Sequence, residues 1–190
     1  MKNILITGGA GFIGSEIVNK LSNTKEWNIT VLDVLSEQIH GKTPEESYLF
    51  NLIKDKCHFI KGDIRGFDTV RKAIGNSEYI IHLAAETGTG QSMYQINRYN
   101  EVNIMGTSNL FQAISNLGKE SKVKKIILSS SRSVYGEGKY NCPICGVIYP
   151  QSRSRETMLK GDFNLYCPKC GKKACICECD PVSNNKSKSV

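Results

Sequence analysis

Residues Ile4–Gly14, reading Ile-Leu-Ile-Thr-Gly-Gly-Ala-Gly-Phe-Ile-Gly, constrain the fold of this chain more than any other stretch. An apolar run of strand character passes through clustered glycines straight into a helical pattern over Phe12–Leu21. The spacing reads as Gly9-x-Gly11-x-x-Gly14 or as Thr7-Gly8-x-x-Gly11-x-x-Gly14. Either way the turn needs positive φ at one glycine and bare backbone where a diphosphate lies against it. The last glycine lets helix and strand approach closely, and the first N–H groups of the helix face the anion. Thr7, Gly8, Gly11, Phe12, Ile13 and Gly14 are therefore candidate residues for holding a dinucleotide. Asp33 stands 19 residues after Gly14, at the end of a second apolar run, Ile29–Leu32. A carboxylate there accepts from both ribose hydroxyls and repels a 2′-phosphate, which favours NAD over NADP.

Up to Ser131 the alternation continues. Strands are expected at Asn3–Thr7, Asn28–Leu32, Cys57–Lys61, Tyr79–Leu83 and Lys125–Ser129, and helices at Phe12–Leu21, Asp68–Ile74 and Asn97–Leu117. A further helix is expected within the long connection 35–56, over Glu45–Ile53. This order predicts an α/β fold: a Rossmann-type parallel sheet with helices on both faces. Ligands gather at the carboxyl ends of such strands. Those ends carry Asp63, placed to accept from an adenine amino group, and Ile64, placed to cover the ring. For Asp63 a helix cap or a turn is the competing reading. Ala84 and Ala85 are small enough for a cofactor to pass across them. His82 reads as a half-buried strand-end histidine with no assigned chemistry, and Cys57 as a buried inert thiol.

Within 190 residues there is room for one sizeable domain and a small appendage. No apolar run approaches the roughly 20 residues that span a bilayer, and the apolar segment after Met1 is too short for a signal peptide. A cytoplasmic protein without a membrane partner is the default. The net charge of +7 is spread out, which favours anionic ligands and argues against a nucleic-acid footprint.

Seven of the eight cysteines fall at or after position 142, which points to metal and not to disulfides. Cys142-Pro-Ile-Cys145-Gly and Cys167-Pro-Lys-Cys170-Gly are matching knuckles with 21 residues between them. Each brings two thiolates to one ion, and together they complete a tetrahedral, structural Zn²⁺ site with no position left for a catalytic water. Cys175, Cys177 and Cys179 receive no role, and Arg153 and Arg155 read as a solvated loop face before a phosphate contact.

Five motifs in order, Thr7–Gly14, Gly62-Asp-Ile64, His82-Leu-Ala-Ala85, Asn103-x-x-Gly106-Thr107 and Ser129-Ser-Ser-Arg-Ser-Val-Tyr-Gly136, resemble the extended short-chain dehydrogenase/reductase family. The resemblance lies on its NAD-dependent nucleotide-sugar epimerase and dehydratase side. The stretch Ala85–Met93 with the cysteine-bearing insert looks most like dTDP-rhamnose 4-epimerase-type members. This implies an isomerase that inverts a sugar carbon through a keto intermediate while the hydride is held on NAD. It adds Leu83, Asn103 and Ser129 to the cofactor-binding candidates and gives Ser131 the hydroxyl that hydrogen-bonds the reacting sugar oxygen. A nucleotide sugar is the implied substrate and a homodimer the implied assembly of a complete relative. Dehydratases of the family place Asp-Glu after that hydroxyl residue, where this chain has Arg132-Ser133, which favours epimerisation.

The family's catalytic Tyr-x-x-x-Lys lies on a helix. The string Tyr135-Gly-Glu-Gly-Lys139 fits the letters, but two glycines oppose a helix, each by roughly 1 kcal/mol. The tyrosine there reads as packing under a loop. The resulting expectation is a Rossmann domain over 1–138, a zinc-ribbon-like insert over 139–180 and a polar tail over 181–190 leading toward an absent catalytic helix. The sheet would then be incomplete at its C-terminal side, inactive alone and apolar on one face. Rival readings are a dehydratase or reductase of the same family, a catalytically silent NAD sensor, and a binding module whose ribbon contacts nucleic acid or protein.

Overall fold

The computed structural model describes residues 1–131, 134 and 136–176. They form two compact units, the first Met1–Ser129 and the second beginning at Ser130. The unit boundary thus falls before the position 138 read from the sequence.

In the first unit β1 (Lys2–Thr7), β2 (Trp27–Asp33), β3 (His58–Lys61), β4 (Tyr79–His82) and β5 (Lys125–Leu128) form one sheet in the order β3-β2-β1-β4-β5. All four pairings are parallel. The helices are α1 (Phe12–Thr24), α2 (Glu37–His40), α3 (Tyr48–Ile53), α4 (Phe67–Ile74), α5 (Thr89–Ser92), α6 (Ile96–Tyr99) and α7 (Gly106–Leu117). Both sheet faces are covered because β1 alternates its apolar side chains. Ile4 and Ile6 join Val18, Ile29, Val31 and Ile53 on the side of α1 and α3. Leu5 joins Leu32, Val70, Ile74, Ile80 and Leu110 on the side of α4 and α7. Every one of these side chains is 5% exposed or less, and truncating a large one to alanine costs about 2–5 kcal/mol.

Two expected helices differ from the sequence reading. The span Asn97–Leu117 is helical throughout, but Asn100–Met105 is wound as a π-helix between α6 and α7. The span Glu45–Ile53 is split into a 3-10 turn, Pro44–Glu46, and α3, because Ser47 adopts extended backbone and caps Phe50 N–H through its side chain. A groove of about 210 Å³ on the α1 side is lined by Ile17, Leu21, Trp27, Tyr79, Ile81 and Ile127. Among the described residues no helix is long and apolar enough to cross a membrane.

The second unit is small. β6 (Tyr140–Cys142) pairs antiparallel with β7 (Gly146–Ile148) and with β8 (Cys175–Ile176), and α8 (Arg155–Leu159) lies between β7 and β8 in sequence. Its buried apolar cluster consists of Cys142, Ile148, Cys167 and Ala174.

Candidate functional site

The strand order reverses between β1 and β4, and the glycine turn leaves β1 at that point. Gly8 carries the positive φ, +69°, and a Cβ there would sit 2.6 Å from Ala84 N. At Gly14 a Cβ would collide with the Gly8 carbonyl, so the glycine lets the first turn of α1 rest directly on the loop. Gly11 is the N-cap of α1, and no acidic side chain lies in the first helical turn. Gly11 N–H donates to Gly8 O at 3.2 Å and Ser15 N–H to Gly11 O at 2.9 Å. Phe12 and Ile13, on the outer side of this turn, are exposed.

Asp33 ends β2 beside this loop. Its Oδ2 accepts from Ala10 N–H at 2.9 Å and its Oδ1 from Leu35 N–H at 2.9 Å. The carboxylate therefore fastens the glycine loop as well as facing the end of the sheet. Lys61 of β3 is in register with Asp33, and Gly62 N–H donates to Asp33 O at 3.0 Å, which brings the Gly62-Asp63-Ile64 loop alongside. Asp63 is bound by Arg65, which holds its carboxyl below the usual carboxylate range. The Ile64 side chain, expected to cover the adenine ring, is 5% exposed and buried against Gly106, where a Cβ would come within 2.6 Å of it.

The loop after β4 is held from two sides. Thr7 Oγ1 lies 2.6 Å from His82 Nδ1, and His82 Nε2 lies 3.0 Å from Thr107 Oγ1. Because Thr107 donates to Asn103 O at 2.7 Å, it accepts from His82 Nε2–H, which leaves Nδ1 to accept from the Thr7 hydroxyl. Thr7 Oγ1 in turn accepts from Ala84 N–H at 3.3 Å. His82 is thus a neutral imidazole, 3% exposed, whose pKa is lowered by burial. Asn103, within the π-helical turn, accepts from Glu86 N–H at 2.8 Å and donates to Glu86 O at 3.1 Å. Its amide is committed to the 84–87 loop. Leu83 packs on the α1-side core, Ala84 is half-buried and Ala85 exposed.

One end of the first unit therefore gathers Thr7, Gly8, Gly11, Gly14, Asp33, Asp63, Leu83, Ala84, Ala85, Asn103 and Ser129, whose N–H donates to His82 O at 3.3 Å. Ser131, exposed, belongs to the second unit, where its carbonyl accepts from Val134 N–H. Arg132, Ser133, Tyr135, Cys177, Cys179 and the 181–190 tail lie outside the described residues. Arg153 pairs with Glu137 at 3.0 Å. Cys57 is half-buried and its thiol is pushed up to about 11 by burial, the behaviour of an unreactive thiol.

The sequence reading missed Arg65, Glu101 and Asn109, which hold the loops in place, named Thr107 only as part of a motif, and gave His82 no partners. The charge pair Asp63-x-Arg65 was visible; the distant partners were not.

In the second unit the sulfurs of Cys142, Cys145, Cys167 and Cys170 lie within 4.8 Å of one another. Cys145 N–H donates to Cys142 Sγ and Lys169 N–H to Cys167 Sγ, each at 3.4 Å. The Cys145 amide pulls the Cys142 thiol down to about 7. Four converging sulfurs with N–H groups aimed at them fit a tetrahedral thiophilic cation.

A parallel sheet with its glycine turn at the strand-order reversal defines a Rossmann-type nucleotide-binding protein. Residues 4–154 match the model of the NAD dependent epimerase/dehydratase family, and the chain belongs to that family. It is 38% identical over 156 residues to dTDP-L-rhamnose 4-epimerase of Burkholderia thailandensis, covering 81% of this chain and 41% of that protein. Among solved structures, UDP-glucose 4-epimerase of Thermotoga maritima with UDP-glucose superposes with a TM-score of 0.58 at 30% identity, over 78% of this chain and 42% of that one. The UDP-glucose-4-epimerase of Stenotrophomonas maltophila with bound NAD and formylated UDP-arabinopyranose gives 0.58 at 26%, over 76% and 40%. The chain spans about two fifths of the length of each of these three relatives.

Proposed function

We propose that this chain is the NAD-binding portion of a nucleotide-sugar epimerase that inverts a sugar carbon through a transient keto sugar. The observation that carries the reading is the glycine cradle. Gly8 and Gly14 let the loop close against Ala84 and the start of α1, where any Cβ would collide with backbone, so bare backbone is presented at the sheet's switch point and at a helix start whose first turn carries no acidic side chain.

The backbone of Gly8, Gly11, Phe12, Ile13 and Gly14 receives the diphosphate, and Thr7 fixes the turn from below. Asp33 accepts from the adenosine ribose hydroxyls, and Asp63 with the Ile64 backbone meets the adenine edge. Leu83, Ala84 and Ala85 flank the path of the dinucleotide, Asn103 holds their loop, and Ser129 closes the far side. Ser131 donates a hydrogen bond to the reacting sugar oxygen and orients it. When bound, NAD supplies a hydride acceptor that returns the hydride to the sugar. The names of the relatives, epimerases of dTDP- and UDP-sugars, support a nucleotide-sugar substrate. Cys142, Cys145, Cys167 and Cys170 hold a structural zinc that folds the ribbon-like insert.

The test is calorimetric titration of the chain with NAD and with NADP. NAD binding at least about tenfold tighter than NADP is expected from the Asp33 carboxylate. Absence of NAD binding, or preference for NADP, refutes the reading.

A further inference from the structure

The loop after β3 carries a charge cluster that the dinucleotide reading does not by itself require. Asp63 Oδ1 accepts from Arg65 N–H at 2.8 Å, and Oδ2 accepts from Arg65 Nε at 3.0 Å and Nη2 at 2.7 Å. Arg65 is held in turn from the neighbouring helix. Its Nη1 donates to Glu101 Oε2 at 2.8 Å from the π-helical turn, and its carbonyl accepts from Asn109 Nδ2 of α7 at 2.8 Å. A pair two residues apart on a loop would ordinarily be loose. Here both side chain and backbone of the arginine are anchored, so the carboxylate is fixed in one orientation.

An ionised carboxylate offers about four lone-pair positions and no donor. Arg65 takes three of them, leaving one, on Oδ1, for a ligand. Asp63 keeps a third of its side chain exposed, at the same sheet end as Asp33. A 6-amino purine brings a hydrogen to that position. A 6-oxo purine brings an oxygen, and two acceptors then face each other.

We propose that Arg65 is a positioning residue for base specificity: by locking the Asp63 carboxylate in place as an acceptor, it makes this site select adenine over hypoxanthine dinucleotides. The proposal rests on the reading of this sheet end as an NAD site. Arg65 itself touches no ligand atom in this scheme. Its effect is exerted on the ratio of two affinities, which a merely structural clamp would lower together.

The full chain is titrated calorimetrically with NAD and with nicotinamide hypoxanthine dinucleotide. The unmodified chain is expected to prefer NAD by about tenfold or more, the value of one hydrogen bond to a charged group. Arg65→Ala is expected to bring the two affinities within roughly threefold, with Arg65→Lys intermediate because a point charge replaces the fork. Asp63→Asn is expected to behave like Arg65→Ala, since an amide can turn either face to the base. Thermal melts of each variant establish that the compared chains are folded, and Arg65→Lys keeps the test open if the alanine variant is not. Equal affinities in the unmodified chain overturn this proposal, and with it the contact of Asp63 with adenine, while leaving the NAD site itself standing. So does an Arg65→Ala chain in which both affinities fall while their ratio persists. Binding of neither dinucleotide overturns the cofactor reading and this proposal with it.

Discussion

Asp33 has two tasks at once, because the same carboxylate that faces the sheet end also accepts from Ala10 and Leu35 N–H. An Asp33→Asn chain keeps acceptors for the loop but loses the negative charge. Its preference for NAD over NADP is expected to fall by about tenfold, read by competitive titration of the two dinucleotides. His82 of β4 bridges Thr7 of β1 and Thr107 of α7, accepting from the first hydroxyl and donating to the second. Replacing it with leucine takes away the acceptor of the buried Thr7 hydroxyl and is expected to cost about 1–3 kcal/mol in urea denaturation, with glutamine costing less. Burial lowers the folded-state pKa of His82 below its ordinary 6.5, and burial lowers that of His40 as well, against the attraction of Asp33. Their contribution to stability is therefore complete above about pH 6.5 and lost as pH falls through the lowered folded values. Urea midpoints at pH 7.5 and at pH 5 check this, the lower pH giving the lower midpoint. Asp33 was legible from its distance to the glycines, because that distance is set by one helix and one strand. The His82 relay was not, since its partners lie 75 and 25 residues away and only the folded sheet brings them together.

Among the elements, the glycine turn and the π-helical turn do complementary work. The turn packs bare backbone closely between β1, the 83–84 loop and α1, and the helix holds the loops beside it. Glu101, Asn103, Thr107 and Asn109 of one continuous helix reach Arg65, Glu86, His82 and the Ile64–Arg65 carbonyls. Gly14→Ala forces a Cβ into the Gly8 carbonyl and Gly9, and Gly8→Ala adds a left-handed backbone to a clash with Ala84 N. Each is expected to cost about 1–3 kcal/mol and to abolish NAD binding, read by melting and by titration. The existence of the helix was legible in its apolar spacing. Its π-helical winding was not, because apolar spacing does not register one extra residue per turn. The burial of Ile64 was missed for a related reason: Gly106, the residue that makes room for it, lies on that same helix.

The molecule as a whole rests on two different foundations. The first unit has an apolar core on each face of its sheet, whereas half of the buried cluster in the second consists of two of its four clustered cysteines. One zinc per chain is expected by elemental analysis. Chelation is expected to open 130–176 to limited proteolysis while a fragment of residues 1–129 survives, read by mass spectrometry of the digest. The parallel class of the first unit was legible because strands and helices alternate, and the knuckles because their spacing repeats. The position at which one unit gives way to the other depends on packing between distant residues, and local composition did not reveal it. A last consequence follows from where β1 lies. β1 lies between β2 and β4 in the sheet, and the second of these neighbours, Tyr79–His82, is synthesised some 75 residues after it. One of its two hydrogen-bonding edges must wait for that segment to emerge, so the nascent chain carries an open seam while the residues between β1 and β4 are made, the interval in which a chaperone would find it.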